Sequence, residues 1–178
     1  MNWTGKLLNW YYQNKRDLPW RETKDPYFIW ISEIILQQTT IRQGIPYYEK
    51  FIEKYPNLNL LAKTKEEELL KLWQGLGYYS RARNLHFTSK LIIKDYNGVF
   101  PSSYAELINL KGIGDYTASA IASISFKLPI ASIDGNVYRF FSRYFGIKKS
   151  IDKSKSLKYF KDKSYKLMDK KDPGDFNQ

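Results

Sequence analysis

Hydrophobic residues along the chain recur every three or four positions, which is the spacing of a helix face, and no alternating stretch of useful length indicates a strand. The spacing predicts successive helices, marked by the apolar residues at 3–11, 30–35, 45–55, 69–73, 82–96 and 137–145. A helix rich in small residues is expected after residue 115, and another near the end of the chain. The fold class that follows is all-α.

Residues with capping chemistry mark where several of these helices begin and end. We expect N-caps at Asp25, which precedes a proline, and at Asp115, and capping boxes at the pairs Thr64–Glu67 and Ser103–Glu106. Glycines at 75, 98 and 146 are expected to end helices. The Lys- and Ser-rich stretch 148–158 is interpreted as a solvated linker. The sequence Asp-Pro-Gly-Asp at 172–175 is typical of a helix start, so we expect the chain to be a fragment.

Composition narrows the class of partner. Lys and Arg number 29 against 18 Asp and Glu, which gives a formal net charge of +11. This charge favours a polyanionic partner, although a genome whose proteins are generally rich in lysine is a simpler explanation. Aromatic residues reach 17%, which argues against disorder. No cysteine is present, so this chain cannot form disulfides, thiolate metal sites or Fe–S ligands. Without an apolar run of membrane length or a signal peptide, we expect a cytoplasmic protein.

A glycine hairpin is the most specific motif. Gly112 and Gly114 stand in Leu-Lys-Gly-Ile-Gly, directly before the small-residue helix. Glycines let the backbone turn with its N–H groups accessible, and these groups, with the helix N-terminus, can hold a DNA phosphate. Lys111 adds a positive charge. An ordinary helix–turn–helix packing corner is the alternative, but the motif favours a helix–hairpin–helix.

Two carboxylates are candidates for catalysis. Asp134 directly precedes a predicted helix, where most aspartates are simple N-caps, but a carboxylate there also stays ionised and can stabilise a cationic sugar. Glu33 lies within the most apolar helix, and such surroundings raise a carboxyl pKa until it can act as a general acid. An exposed surface Glu is the alternative. Together the two carboxylates suit hydrolysis of a glycosidic bond.

Residues 75–83 mix glycines, tyrosines and arginines, which is typical of a loop that enters DNA. Arg81 and Arg83 would then hold phosphates. A packed turn with surface arginines explains the segment equally well. His86, the only histidine, falls on an apolar helix face, where a structural role is expected.

Five motifs together resemble the adenine DNA glycosylases of the MutY type, in the helix–hairpin–helix DNA glycosylase superfamily. They are LPWR at 18–21, WISEIILQQT at 30–39, LWQGLGYYSRARNLH at 72–86, LKGIGDYT at 110–117 and DGN at 134–136. The resemblance runs over essentially the whole chain. It implies excision of adenine mispaired with 8-oxoguanine or guanine in double-stranded DNA, by a monomer that is associated with the nucleoid and not with a membrane.

The resemblance also assigns roles to individual residues. It implies that Glu33 protonates N7 of the flipped adenine and that Asp134 stabilises, or covalently traps, the C1′ cation. The other residues that it assigns are Tyr116 and Asn136, which organise the site, Arg21 near the adenine pocket, Gln38 and Tyr78, which insert into the duplex, and Leu76, their neighbour in the loop.

Tyr116 separates two related activities. Endonuclease III-like enzymes carry a lysine here that forms a Schiff base and supports strand cleavage. Tyrosine at this position implies a monofunctional glycosylase. An endonuclease III-like lyase is one alternative, and a non-catalytic helix–hairpin–helix DNA-binding module, which would need neither carboxylate, is the other.

The implied fold has two helical lobes with DNA between them. A six-helix lobe would span residues 22–130, with the helix–hairpin–helix at about 107–125, and residues 1–21 plus 131–178 would form a second, incomplete lobe. The family carries four cysteines that hold a [4Fe–4S] cluster, and a C-terminal domain that recognises 8-oxoguanine. Both would lie beyond residue 178, so this chain is expected to bind no cofactor or metal.

Overall fold

The computed structural model describes residues 2–149 and 154–178, and these residues contain helices but no strand. The predicted all-α class is therefore confirmed. The helices are α1 (Trp3–Asn14), α2 (Pro26–Leu36), α3 (Ile41–Lys54), α4 (Leu58–Lys63), α5 (Glu66–Leu72), α6 (Ser80–Asp95), α7 (Tyr104–Leu107), α8 (Asp115–Phe126), α9 (Gly135–Phe145), α10 (Ser154–Leu167) and α11 (Pro173–Asn177), with a 3₁₀ turn at Pro19–Arg21. In the part of the chain that the structure describes, no helix is long and apolar enough to cross a membrane.

Three of the predicted caps are confirmed. The Asp25 carboxylate accepts a hydrogen bond of 2.8 Å from the Tyr27 N–H, and Pro26 takes the first helical position of α2. Ser103 Oγ accepts from the Glu106 N–H at 3.2 Å at the start of α7. Gly146 ends α9 with a left-handed φ of 63°. Each of these signals acts within three residues of chain.

Two of the predicted caps are wrong. Thr64 ends α4, a helix that the hydrophobic pattern did not indicate, and α5 begins two residues later without a side-chain cap. The Thr64 hydroxyl lies 3.1 Å from Tyr55 Oη. Asp115 is the first residue of α8 and Gly114 is the N-cap. The Asp115 carboxylate is unavailable for capping because it accepts hydrogen bonds from Tyr104 and Lys161.

Buried hydrophobic side chains form two cores. The first core draws its buried residues from Leu18 to Ile124 and includes the fully buried Trp30 and Trp73. The second core consists of Ala131, Ile133, Phe141, Phe160 and Met168, with residues from both ends of the chain packed against it. Trp3 lies with its ring centroid 6.3 Å from that of Phe141 and 6.5 Å from that of Phe176. The buried residues of the first core end at Ile124, and those of the second core begin at Ala131. The division of the chain into two lobes stays a prediction.

The last helix packs closely against α8. A Cβ on Gly174 would lie 2.9 Å from Ile124 Cα, so only glycine allows this approach. Asn177 fixes the helix by donating to Ser123 Oγ and to the Ile130 carbonyl, both at 2.8 Å. The predicted helix start at 172–175 is therefore confirmed. The predicted linker at 148–158 lies partly outside the described residues, and its second half is helical from residue 154.

Candidate active site and nucleic-acid interface

A cavity of about 860 Å³ lies where residues from both cores meet. Predicted site residues reach it from four elements: Arg21 from the 3₁₀ turn, Glu33 from α2, Tyr116 from α8, and Asp134 with Asn136 at the start of α9. Gln38 lines its rim. The structure thus brings together residues that lie more than 100 positions apart in sequence. Its size suits a small organic ligand such as a nucleobase.

The carboxyl group of Glu33 sits in an environment that favours its neutral form. Burial raises its pKa from 4.5 to about 7, and the negative charge of Asp134 adds to this shift. The neighbouring turns of α2 supply the apolar surroundings, since Trp30, Ile34 and Ile35 are buried. A carboxyl group with a pKa near 7 can donate a proton at neutral pH and be reprotonated afterwards.

Asp134 caps α9 and faces the cavity at the same time. Its Oδ1 accepts hydrogen bonds from the Asn136 and Val137 N–H groups, at 2.9 and 2.8 Å. Its Oδ2 accepts a hydrogen bond of 2.8 Å from the side-chain amide nitrogen of Asn136. Arg139 donates in turn to the side-chain oxygen Oδ1 of Asn136. The two interpretations of Asp134 from the sequence are therefore compatible, because the residue that caps α9 also lines the cavity.

The phenol of Tyr116 lies close to both carboxyl groups. Their negative charges, that of Glu33 first, and burial raise its pKa above the ordinary value of 10.0. The phenol is therefore protonated at neutral pH, so it can donate a hydrogen bond but does not act as an anionic nucleophile. The side chain is still 40% exposed, on the cavity side.

The predicted hairpin joins α7 to α8, and only one of its glycines is required by backbone geometry. Gly112 has φ 83°, and a Cβ there would lie 2.7 Å from Asn84 Cβ. Gly114 has φ −87°, which any residue adopts, and a Cβ there would meet no atom within 4 Å. Gly114 is exposed and α8 has no side-chain cap, so no capping side chain occupies the first N–H groups of α8.

Lys111 extends the exposed hairpin with a positive charge. Its Nζ lies 4.8 Å from the ring centroid of Phe87, a side chain that is 49% exposed. Its backbone carbonyl accepts a hydrogen bond of 2.7 Å from Thr88 Oγ1, which ties the hairpin to α6. A cation, an exposed aromatic ring and free helix N–H groups here form a surface suited to a phosphate backbone.

The Asp115 carboxylate connects the hairpin helix to a distant element. Lys161 of α10 forms an ion pair with it, and the Tyr104 hydroxyl donates to the same oxygen. Both charged side chains are about one-third exposed. Because Lys161 offsets the charge of Asp115, a carboxylate beside the hairpin does not repel an approaching phosphate.

Gln38 and Tyr78, the residues predicted to insert into the duplex, share an uncommon backbone conformation. Gln38 has φ 56° and Tyr78 has φ 47°, although neither is glycine. Both side chains are exposed, Tyr78 to 67%. Left-handed backbone at non-glycine residues costs on the order of 1 kcal/mol and concentrates at functional sites.

Two predicted DNA contacts are wrong. Leu76 is 7% exposed and belongs to the first core, so its side chain is not available to a duplex. Arg81 is 8% exposed, and its guanidinium donates to backbone carbonyls inside the protein. Leu76 fits the packed-turn alternative, but Arg81 fits neither interpretation from the sequence, because it is a buried arginine and not a surface one. Arg83 is exposed and pairs with Glu66 at 3.1 Å. Its role at a phosphate stays a prediction.

Arg21 and His86 complete the predicted set. Arg21 lies at the cavity, with its guanidinium 5.5 Å from the ring centroid of Tyr11, and donates to the Arg16 carbonyl at 3.2 Å. His86 is buried, and its Nε2 lies 2.9 Å from the Thr64 carbonyl oxygen. It does not line the cavity, so a structural role holds for this histidine.

Sequence reasoning missed two basic residues that support the site. Arg139 lies one turn after Asn136, and its position at i+3 on the predicted helix could have indicated the contact. Lys161 contacts Asp115 across 46 residues of sequence, and no local signal identifies it among the lysines of α10.

Comparison with known proteins identifies the family. The sequence model described as "HhH-GPD superfamily base excision DNA repair protein" matches residues 31–164, three-quarters of the chain. The chain belongs to this superfamily. The predicted helix–hairpin–helix glycosylase fold is thereby confirmed. The two carboxyl groups of the cavity and the hairpin lie within the matched HhH-GPD region, whereas Arg21 and other lining residues lie outside it.

Relatives within the HhH-GPD superfamily agree with the resemblance found from the motifs. An adenine DNA glycosylase of Buchnera aphidicola subsp. Baizongia pistaciae is 49% identical over 142 residues, covering 79% of this chain and 40% of that protein. The human adenine DNA glycosylase is 40% identical over 185 residues, covering 98% of this chain and 34% of that protein. The chain thus spans less than half the length of these relatives.

A solved structure supports the fold directly. The structure of a thermostable thymine-DNA glycosylase superposes with a TM-score of 0.88 at 31% sequence identity, covering 98% of this chain and 80% of that one. The HhH-GPD architecture is therefore shared across enzymes whose names specify different bases. This fold alone does not determine which base is excised.

Proposed function

We propose that this chain carries the catalytic centre of a base-excision DNA glycosylase that hydrolyses the N-glycosidic bond of adenine. The observation that best supports this proposal is that two carboxyl groups line one cavity. They belong to Glu33, whose pKa is raised to about 7, and to Asp134, which accepts hydrogen bonds from three donors. One carboxyl group is suited to give a proton and the other to face a cation, which is the division of labour in glycoside hydrolysis. The adenine specificity rests on relatives named adenine DNA glycosylase.

In the proposed reaction the adenine leaves the duplex and enters the cavity. Glu33 donates its proton to N7, so the protonated adenine takes the electron pair of the breaking N-glycosidic bond and leaves as a neutral base. Asp134 stabilises the C1′ cation that remains on the sugar. Water then forms a bond to C1′ and returns a proton to Glu33, which leaves an abasic site.

Tyr116 supports a monofunctional reaction. A strand-cleaving mechanism of the Schiff-base type needs an amine at the site, and the described residues that line the cavity include no lysine. The Tyr116 phenol is protonated and cannot form an imine. It is placed instead to donate a hydrogen bond near Glu33 and Asp134, whose charges raise its pKa.

The proposed substrate is duplex DNA with adenine opposite 8-oxoguanine or guanine, bound by a monomer. The exposed hairpin at 111–114 and the chain's net charge of +11 support a phosphate-backbone interface. Flipping a base costs a few kcal/mol, and least at a mispair, which favours a mispaired adenine. The [4Fe–4S] cluster of the family does not fit this chain, because the 178 residues include no cysteine to ligate it.

Single-turnover excision tests the proposal. Duplexes with one adenine opposite 8-oxoguanine, guanine or thymine are incubated with the chain, and each sample is analysed before and after alkali. We expect alkali-dependent breaks at the mispaired adenine, and none with Glu33→Gln or Asp134→Asn. Breaks without alkali at the rate of base loss would refute the monofunctional assignment. Binding without base loss, indifferent to Asp134→Asn, would favour the non-catalytic module.

A further inference from the structure

Gln38 and Tyr78 are two of the four described non-glycine residues with left-handed backbone, and they have a common support. Gln38 follows the end of α2 and Tyr78 follows the glycine turn after α5. Their turns are separated by 40 positions in sequence, and neither contains the hydrogen bonds of a regular helix that would fix such a conformation. Within the second turn Trp73 Nε1 donates to the Gly77 carbonyl at 3.1 Å, and a side chain outside both turns adds a contact that the two turns share.

The guanidinium of Arg81 contacts both turns. Its Nη1 donates to the carbonyls of Ile34, Ile35 and Gln37, at 2.9 Å and 3.0 Å for the first two. Its Nη2 donates to the carbonyls of Leu76 and Gly77, at 3.0 and 3.2 Å. Five carbonyl oxygens from two separate turns therefore converge on one side chain.

The position of two of these carbonyls is informative. The Gln37 carbonyl belongs to the peptide unit that supplies the Gln38 N–H, and the Gly77 carbonyl belongs to the unit that supplies the Tyr78 N–H. A peptide unit is planar, so holding its carbonyl oxygen also fixes the orientation of the N–H group of the next residue. The angle φ of that residue is the rotation about the bond from this nitrogen to its Cα. Arg81 thus acts on the φ of both left-handed residues.

Packing around Arg81 explains why the residue is arginine. Its guanidinium carbon lies 5.3 Å from the ring centroid of Trp73 and 5.7 Å from that of Tyr78, and the residue is 8% exposed. The C-terminal end of the α2 dipole and the carbonyl oxygens offset the buried charge. The two Nη groups of a planar guanidinium present four N–H donors in a fixed fork to these carbonyls, whereas a lysine ammonium group has three donors on a single nitrogen.

We propose that Arg81 is a positioning residue. It holds the backbone of Gln38 and Tyr78 in the conformation from which their side chains enter the duplex. It acts through these two residues and does not touch DNA. The inference rests on the proposed function, in which Gln38 and Tyr78 are the inserted side chains. It replaces the phosphate contact that the sequence suggested for Arg81.

The contact itself is tested by NMR on the wild-type chain without DNA. A guanidinium held by five acceptors rotates slowly, so we expect separate Arg81 Nη proton signals with cross-peaks to the Gln38 and Tyr78 amide protons. A single averaged Nη signal would overturn the proposal. This measurement needs neither a variant nor catalytic activity.

A double-mutant cycle tests the consequence for DNA. Arg81→Lys keeps the charge, and we expect it to reduce the affinity for a duplex with one adenine·8-oxoguanine mispair about tenfold, with a smaller loss on the matched duplex. In a Gln38→Ala/Tyr78→Ala background, the same substitution should change affinity less than twofold, because the residues through which it acts are gone. Thermal unfolding of each variant reports whether it folds.

The outcomes separate this inference from the proposed function. Equal losses on both duplexes that persist in the Gln38→Ala/Tyr78→Ala background would show a merely structural role and overturn the inference. If the wild-type chain does not prefer the mispaired duplex, the proposed function and the DNA part of the inference fail together. The NMR spectrum still decides whether Arg81 fixes the two turns.

Discussion

Replacing Glu33 by glutamine should stabilise the folded chain, and the gain should grow as the pH rises. The amide keeps the shape of the side chain and removes its ionisation. In the folded state burial and the charge of Asp134 raise the pKa of Glu33 from 4.5 to about 7. Above pH 7 the folded wild-type protein therefore carries a charged carboxylate at a position that favours a neutral group.

The magnitude follows from the two pKa values. Well below pH 4.5 the Glu33 carboxyl group is protonated in both the folded and the unfolded chain, so its ionisation does not contribute to the free energy of unfolding. As the pH rises toward 7 the unfolded chain releases the proton first, and the wild-type protein loses stability. One pKa unit corresponds to about 1.4 kcal/mol, so Glu33→Gln should gain about 2 kcal/mol by about pH 6 and about 3 kcal/mol by about pH 8.

Urea unfolding of both variants, followed by circular dichroism at several pH values between about 4 and 8, measures this difference. The exposed Glu53→Gln on α3 controls for general effects of losing a negative charge. A stability difference between wild type and Glu33→Gln that does not change with pH would refute the reasoning, because it would mean that the folded state leaves the Glu33 pKa unchanged.

Three further predictions concern the same region. Asp134→Asn should lower the pKa of Glu33, since the Asp134 charge helps to raise it, and a ¹³C NMR titration that shows no decrease would contradict this. Gly112→Ala should destabilise the chain by about 1–3 kcal/mol in urea unfolding because φ is 83°, whereas Gly114→Ala should cost little; equal losses would be the contrary result. Gly174→Ala should cost at least about 1 kcal/mol and expose α11 to limited proteolysis, because the new Cβ would lie 2.9 Å from the α8 backbone; unchanged protease resistance would disagree.

Short-range signals were predictable from the sequence. Asp25 and Ser103 cap helices because a small polar side chain meets an N–H two or three residues later, and both partners are visible in the local sequence. The same rule failed at Thr64 and Asp115, where a distant residue takes the polar group. Competition from long-range partners is not encoded in a three-residue window.

The site itself depended on more than periodicity. Glu33 and Asp134 have suitable chemistry, but no spacing rule places residues 101 positions apart on one cavity. The motif resemblance supplied that juxtaposition. Arg81 shows the opposite case, because an arginine in a loop of glycines and tyrosines suggests a phosphate contact. Its burial depends on five carbonyl groups that the tertiary fold brings together.

The placement of the chain ends in the second core has a consequence for synthesis on the ribosome. The first core draws its buried residues from positions up to Ile124, with Phe126, Leu128 and Ile130 packed against it, so it can form while residues 131–178 are still being made. The second core requires Trp3 from one end and Phe176 from the other. Trp3 also packs against four aromatic side chains of α9, so the cover of α1 starts to form once α9 has been made and gains its last aromatic partner with Phe176.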